Sequence, residues 1–365
     1  MKNFRVPAII LGAIIYVFAM LCIVLPKDDI SESERRKLAE FPKFSLESFM
    51  SGKFAKDFEE YATDNFPFRD AFRTIKSSVN FDVFQKSDNN DIYIYKDSMM
   101  KLEKDFDEKS AANALSKFNS LYEKYISGKT DKVYISIVPD KAYFAWKDGK
   151  NIPSLDYDEL FEYVKDGTPW AQYIDVTDTL SLSDFYKTDS HWRQEKISAT
   201  AEKIMSEMGY TLSDKYTEVD AGIDFRGVYS GQAAKPGASE NLVYLINDTL
   251  SDCKVTNFET GKSDVGIYDM EKLSSRDPYE VFLSGACAAL SIENPNAKND
   301  RELVIFRDSY GSSIAPLFIE NYSKVTLLDI RYMNPEFVGN FASFENADVL
   351  FLYSSTLINS SSALR

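Results

Sequence analysis

Residues 303–313, with the sequence LVIFRDSYGSS, decide the fold class of this chain. The apolar run 303–306 predicts a buried strand, and an apolar helix is expected to follow over 312–320. A serine at such a strand-to-helix turn lies at the carboxyl edge of a parallel sheet, where open α/β folds place ligands. Backbone N–H groups at the helix start can stabilise an oxyanion there. Ser309 is therefore a candidate nucleophile; the alternative is that the serines of this turn only cap the helix.

Strands and helices alternate through the rest of the chain. The residue pattern predicts strands at 91–95, 132–138, 325–330 and 349–353, and helices around 115–126 and 197–208. The continuous apolar run 132–138 is typical of a strand buried on both faces, as in a parallel sheet. We therefore expect an α/β sheet with helices on both sides. The less regular stretch 211–300 is expected to form a loop-rich insertion.

The only histidine of the chain lies in the segment YKTDSHW, residues 186–192. Asp189, two residues before His191, can accept from the imidazole Nδ1–H, fix the tautomer and stabilise an imidazolium. A serine hydroxyl is a weak nucleophile without a base in reach, and this chain has one histidine to serve. The sequence therefore predicts Ser309 as nucleophile, His191 as base and Asp189 as its orienting carboxylate. The alternative is a structural histidine with an acidic neighbour.

The N-terminal residues predict a membrane anchor. Residues 6–25 contain no charged side chain and would reach roughly 30 Å as a helix, the thickness of a bilayer core. Lys2 and Arg5 precede this segment, which places residues 1–5 in the cytoplasm and the remainder outside. A cleaved signal peptide is the alternative, although the apolar run is long for one and no small-residue cleavage site follows.

Residues 26–65 are expected to form a linker and one amphipathic helix, followed by an extracytoplasmic domain over 66–365. Apolar residues recur at three- and four-residue steps from Leu46 to Tyr61, after a plausible N-cap at Ser45. The apolar face of this helix is expected to pack on the domain. Binding to the membrane surface is the alternative, which the mixed charges disfavour. A second short helix is expected over 72–79.

Composition excludes several classes of function. The chain of 365 residues carries 42 basic and 57 acidic side chains, a net charge of −15, whereas nucleic-acid-binding proteins carry a basic footprint. One histidine cannot build a multi-histidine metal site, and three cysteines do not provide a disulfide scaffold. We expect neither a metal nor a cofactor. Whether Cys253 and Cys287 pair remains open.

Four segments, in this order, resemble the DHHW family and the related alginate O-acetyltransferases. They are 61–69 (YATDNFPFR), 138–141 (VPDK), 186–192 and 308–311 (DSYG). The resemblance implies a three-layer α/β/α sandwich like that of SGNH hydrolases, with the Asp-x-His segment ahead of the serine. Two positions depart from the family pattern. Ser190 stands where the family has its first histidine, and Arg307 replaces the glycine before Asp-Ser, which is expected to narrow the site.

The resemblance also implies an activity and partners. It implies a membrane-anchored O-acetyltransferase at the bacterial cell surface, with an extracellular polysaccharide as acceptor and a multi-span membrane O-acyltransferase as acetyl supplier. A carbohydrate acetylesterase using the same three residues, and a non-catalytic polysaccharide-binding or assembly protein, are the alternatives.

Further residues are expected to line this site. The N–H of Gly227 is the first candidate for a second oxyanion donor, and Asn359 is the alternative. Tyr186, Trp192 and Tyr310 flank the proposed site, where packing is favoured over stacking on a sugar ring.

Overall fold

The computed structural model describes residues 5–150 and 152–365. The chain divides into two compact units. The first runs to Asn90 and includes Val228–Pro236; the second comprises Asp91–Gly227 and Gly237–Arg365. The division predicted at residue 65 lies within the first unit.

The first unit contains short helices and strands after one long apolar helix. Its elements are α1 (Arg5–Val24), β1 (Ile30–Ser31), β2 (Arg36–Lys37), α2 (Leu46–Met50), α3 (Lys53–Asp64), α4 (Arg69–Ser78), a π-helical turn (Val79–Val83), β3 (Asp88–Asn89) and α9 (Val228–Gln232). Within α1, the segment Val6–Val24 is long and apolar enough to cross a membrane and has no buried part. This agrees with the predicted segment at 6–25.

The single amphipathic helix predicted after Ser45 is two helices, α2 and α3. Ser45 does cap α2, because its Oγ accepts from the Ser48 N–H at 3.0 Å. The break falls at Gly52, whose φ of +76° is a left-handed conformation that glycine adopts without steric cost. The apolar side chains of α2 are exposed, Leu46 by 72% and Met50 by 77%. These two side chains of α2 are therefore not part of a buried core.

The second unit holds the main sheet. Its strands are β4 (Ile92–Tyr95), β5 (Ser98–Lys101), β6 (Val133–Val138), β7 (Gln172–Tyr173), β8 (Thr217–Phe225), β9 (Glu240–Ile246), β10 (Lys254–Asn257), β11 (Lys262–Val265), β12 (Ala289–Glu293), β13 (Glu302–Arg307), β14 (Lys324–Leu328) and β15 (Asp348–Ser354). Its helices are α5 (Glu108–Leu121), α6 (Lys141–Lys147), α7 (Tyr157–Gly167), α8 (Ser198–Glu207), α10 (Asp248–Asp252), α11 (Tyr310–Ile314) and α12 (Ser355–Asn359).

Eight strands form this sheet in the order β11-β10-β12-β14-β13-β15-β6-β7. Adjacent strands are parallel in the series β14-β13-β15-β6-β7. At the other edge, β12 is antiparallel to β14, and β10 and β11 continue the antiparallel pairing. Helices α5, α7 and α12 contact one another, and α8 contacts the 3₁₀ segment Ala315–Asn321. The predicted three-layer α/β/α sandwich is confirmed.

Two sequence-based expectations are corrected in the second unit. The stretch 211–300 is not an insertion throughout, because β10, β11 and β12 are strands of the main sheet. The helix expected over 312–320 is α-helical only to Ile314 and continues as a 3₁₀ helix, because Pro316 has no N–H to donate to an α-helical ladder. Cys253 and Cys287 are both free thiols, so they do not pair.

The centre of the sheet is also the centre of the core. All residues of β6 and β15 are buried, as are Leu303–Arg307 of β13. Such strands pack against helices on both faces, which explains their continuous apolar sequences. The turn that contains Ser309 therefore follows directly from a buried strand.

Ile305→Ala is expected to lower the free energy of unfolding by about 2–5 kcal/mol, because it leaves a cavity in the central strand. Ile246→Ala, at the exposed end of β9, is the matched control and is expected to cost less than about 1 kcal/mol. Denaturant unfolding of both variants checks this. Equal losses would contradict the central position of β13.

Candidate active site

The parallel register places three loops at one edge of the sheet. Arg307 of β13 pairs with Leu352 of β15, and Ser354 of β15 pairs with Val138 of β6. The residues after these strands therefore emerge side by side, which is where open α/β folds place ligands.

The three residues that the sequence singles out form one hydrogen-bonded chain at this edge. His191 Nε2 lies 2.8 Å from Ser309 Oγ, and His191 Nδ1 lies 2.6 Å from Asp189 Oδ1. An imidazole that donates from Nδ1 to the carboxylate leaves Nε2 free to accept from the serine hydroxyl. Asp189 is fully buried, the His191 side chain is 12% exposed, and Ser309 is partly exposed. Molecules in solution can therefore reach the Ser309 hydroxyl.

The carboxylate of Asp308 holds the serine turn in place. Its Oδ1 accepts from the Tyr310 N–H at 3.0 Å, and its Oδ2 accepts from the Ser354 N–H at 2.8 Å. These bonds connect the start of α11 to the end of the neighbouring strand β15. The Gly311 N–H donates to the Asp308 carbonyl. The N–H groups of Tyr310 and Gly311 are thus engaged, which leaves the expected oxyanion role to other donors.

Lys141 holds the loop that carries Asp189. Its Nζ donates to the carbonyls of Tyr186, Lys187 and Asp189 at 2.6, 2.9 and 3.0 Å. Burial lowers the pKa of Lys141 to about 7, although the carboxylates of Asp189 and Glu240 raise it. An ammonium has three N–H donors and a neutral amine has two, so only the charged form satisfies all three carbonyls.

The preceding residue, Asp140, fixes the start of α6. It caps the helix by accepting from the Ala142 N–H at 2.7 Å, and it accepts from Ser355 Oγ at 2.9 Å. Desolvation raises its pKa, against the lowering effect of these hydrogen bonds. The segment 138–141 therefore has a physical role: Asp140 links β6 to the residue after β15, and Lys141 links β6 to the histidine loop.

Gly227 contacts the site but in a different role from the predicted one. Its N–H donates to Thr188 Oγ1 at 2.8 Å, so in this conformation it does not face a substrate. A Cβ at this position would overlap the Cα and Cβ of Asp189 and the carbonyl oxygen of Thr188. Gly227 is needed because the backbone of the Asp189 loop passes too close for any side chain.

The three aromatic residues proposed as flanking the site are packing residues. Tyr186 and Trp192 are fully buried and Tyr310 is nearly so, which excludes stacking of their faces on a sugar ring in this conformation. The Tyr310 hydroxyl donates to the Ser190 carbonyl at 2.6 Å, and Trp192 Nε1 donates to Ser313 Oγ at 2.8 Å. These bonds join α11 to the histidine loop.

Tyr279 is a site residue that sequence reasoning missed. Its ring stacks on the His191 imidazole with a centroid distance of 3.9 Å and an angle of 10°, and its hydroxyl lies 2.8 Å from Ser313 Oγ. Stacking fixes the plane of the imidazole while both ring nitrogens keep their partners. Tyr279 follows Pro278 in a 3₁₀ turn, and no local motif distinguishes it from the other 21 tyrosines.

Arg307 does not narrow the site as expected, because its side chain is buried beneath the serine turn. Its Nη1 donates to Ser312 Oγ at 3.0 Å, its Nη2 donates to the Gly285 carbonyl at 3.2 Å, and Asp329 lies at 3.8 Å. Asn359 also has another role, since it accepts from the Asp107 N–H and donates to the Asp105 carbonyl.

Gly227→Ala is expected to slow the reaction of Ser309 with a sulfonyl fluoride by roughly 100-fold, because it displaces Asp189 and the attached imidazole. The rate of covalent labelling, followed by mass spectrometry, measures this. Gly266→Ala is the control, because its Cβ would meet only the Tyr268 carbonyl at 3.9 Å. Equal labelling rates in both variants would contradict the inferred crowding.

Lys141→Met is expected to change how stability depends on pH. The folded-state pKa of about 7 lies below the ordinary value of 10.5, so the unfolded chain binds more protons between these values. The free energy of unfolding of the wild type therefore rises with pH across this window, by at most about 1.4 kcal/mol per pH unit from this group. The free energy of unfolding of Lys141→Met should lack this rise with pH.

Denaturant unfolding of wild type and Lys141→Met at pH 7 and about pH 9 checks this linkage. The stability of the wild type relative to the variant should increase at the higher pH. A relative stability that stays constant would show that the pKa of this amine is not lowered.

Comparison with known proteins agrees with the predicted resemblance. The family described as DHHW protein matches residues 183–328, which contain both the histidine segment and the serine turn. Among curated proteins, none matches the chain in sequence.

Two solved structures share the fold at low sequence identity, and a third is more distant. A DHHW family protein from Eubacterium siraeum has a TM-score of 0.62 and 20% identity, covering 75% of this chain and 94% of its own. Bacillus cereus PatB1 with a sulfonyl adduct has a TM-score of 0.55 and 19% identity, covering 73% and 95%. The O-acetyltransferase domain of Pseudomonas putida AlgJ has a TM-score of 0.41 and 9% identity, covering 73% of this chain and 92% of its own. In the sequence of residues 183–328 and in its α/β fold, this chain is similar to DHHW proteins.

Proposed function

We propose that this chain is a membrane-anchored O-acetyltransferase that acts outside the cytoplasm on a polysaccharide, through an acyl-enzyme on Ser309. The observation that carries the proposal is the distance of 2.8 Å between Ser309 Oγ and His191 Nε2, with Asp189 on the other ring nitrogen. This arrangement supplies what a serine nucleophile requires: a base in reach, and a carboxylate that orients the base.

In the first half-reaction, His191 Nε2 takes the hydroxyl proton while Ser309 Oγ attacks the acetyl carbonyl carbon. A tetrahedral oxyanion forms, the bond to the donor's leaving group breaks, and the proton on Nε2 passes to that group. Asp189 stabilises the transient imidazolium, and the stacked Tyr279 ring holds its plane. The product is acetyl-Ser309.

The backbone N–H of Ser309 is the oxyanion donor that we assign, since the described residues provide no acceptor for it. It lies at the turn itself, adjacent to the attacking oxygen. One such donor is typically worth about 3 kcal/mol in the transition state of acyl transfer.

In the second half-reaction, a sugar hydroxyl attacks acetyl-Ser309. His191 Nε2 accepts the hydroxyl proton, an ester forms on the sugar, and the proton returns to Ser309 Oγ. Water would follow the same course and release acetate, so the residues of the site serve transfer and hydrolysis equally. The motif resemblance to O-acetyltransferases supports transfer.

The N-terminal helix fits an anchor for this chemistry. With α1 across the membrane and the basic N-terminus inside, the second unit lies outside, where polysaccharides are and acetyl-coenzyme A is not. The acetyl group must therefore cross the bilayer. We propose a multi-span membrane O-acyltransferase as the partner that supplies it.

The test supplies full-length protein with 4-nitrophenyl acetate, with and without a candidate cell-surface polysaccharide. We expect an acetylated peptide that contains Ser309, and ester on the sugar. Ser309→Ala and His191→Ala should each lower transfer by about 10³-fold or more, and the double variant should lose little further, because such residues act as one unit.

Ser312→Ala is the matched control from the same turn, since its hydroxyl accepts from Arg307 and lies outside the hydrogen-bonded chain to His191. This variant should still give the acetylated peptide that contains Ser309. Release of acetate to water alone, whatever the sugar, would establish an esterase instead. If the wild type transfers no acetyl group from a competent donor, the function that is left is binding of a polysaccharide.

A further inference from the structure

The first unit exposes an unusually large set of apolar side chains. Ten of them lie between Phe41 and Ile75 and are exposed by 40–77%; we call these the juxtamembrane apolar surface. They are Phe41, Phe44, Leu46, Phe49, Met50, Phe58, Phe66, Phe68, Phe72 and Ile75. Contiguous exposed apolar side chains mark interaction sites.

Ring contacts make the N-terminal part of this surface continuous. Phe44 contacts Phe49 and Phe54, at centroid distances of 6.0 and 5.5 Å. Phe58 contacts Phe54 and Phe41, at 6.3 and 5.9 Å. The side chains therefore form one aromatic layer across α2, α3 and the segment before them.

The other part of the surface packs on the apolar helix α1. Phe18 of α1 stacks on Phe66 at 5.3 Å and meets Phe72 edge-on at 5.8 Å. Phe18 lies six residues before Val24, so it is about 9 Å along the helix from the end of the span. If α1 crosses a membrane, then Phe66 and Phe72 reach a similar depth, which is the depth of interfacial helices.

Polar groups next to the surface match the level of the lipid headgroups. The ammonium of Lys27, three residues after α1, lies 4.2 Å from the centroid of the Tyr61 ring. Tyrosine and lysine are the residues that mark the membrane–water interface. Tyr61 also contacts Phe41, at 5.2 Å. The aromatic layer is thus adjacent to the expected headgroup level.

Several charged side chains of the unit form an ion-pair network. Glu34 pairs with Arg69 at 2.6 Å and with Arg73 at 3.0 Å, and Arg36 makes a double hydrogen bond to Asp64. This network joins α3 and α4 to the linker that precedes α2. Residues 27–90 carry 11 basic and 13 acidic side chains, so attraction to anionic lipids is not the driving force.

We propose that the juxtamembrane apolar surface lies in the lipid bilayer interface beside α1, with its aromatic side chains at the boundary of headgroups and acyl chains. The occupant of this surface is lipid, and zwitterionic lipid suffices. The first unit is then a monotopic platform as well as a tether. The inference rests on α1 crossing the membrane, as in the proposed function.

The test uses full-length chains in phosphatidylcholine nanodiscs, one chain in each, with or without bromine on the acyl chains. Phe44→Trp and Phe49→Trp add a reporter to the surface, and wild-type emission from Trp146, Trp170 and Trp192 is subtracted. Brominated lipid should lower the added emission by about twofold or more, as expected for burial at interfacial depth. Phe337→Trp, at a side chain of similar exposure in the second unit, is the control and should respond to aqueous iodide instead.

Two results overturn the inference. Reporters quenched by iodide as strongly as the Phe337→Trp control would place the surface in water. Reporters that are exposed to iodide in single-chain discs and shielded only in discs that hold several chains would show that a second copy covers it. In either case, chains that resist alkaline carbonate extraction and still transfer acetyl groups leave the proposed function intact. Release of the chain by carbonate would contradict both the membrane anchor and this inference.

Discussion

The parallel register of β6, β15 and β13 is the constraint on which the site depends. Because these strands are buried and paired in register, their carboxyl ends meet at one edge. The residues that follow them then bind one another across loops: Asp308 accepts from Ser354, and Ser355 donates to Asp140. A shift of one residue in either pairing would reverse the side chains and separate the loops.

The histidine loop has no strand of its own in the main sheet and is positioned by contacts from several directions. The ammonium of Lys141 holds three of its carbonyls, Gly227 allows close backbone approach, and Tyr279 stacks on the imidazole. Each contact restrains a different degree of freedom. Together they allow an imidazole from a loop to meet a hydroxyl 118 positions away in sequence.

The two units differ in how they use apolar residues. In the second unit, apolar residues fill a core around the sheet. In the first, ion pairs hold the short helices together and the aromatic side chains point outward. An amphipathic pattern is the same in both situations, because periodicity reports that a face is apolar and does not report what covers it.

The sequence alone determined the features that depend on local pattern. Continuous apolar runs determined the buried strands, the uncharged N-terminal run determined the long helix α1, and short motifs singled out Ser309, His191 and Asp189. Contacts between distant residues set the remaining features. Three strands from 211–300 belong to the main sheet, and Gly227 allows close backbone packing. The Arg307 side chain is buried, and the Tyr279 ring stacks on His191. These outcomes follow from which backbones and rings meet in space, and no local signal in the chain records that.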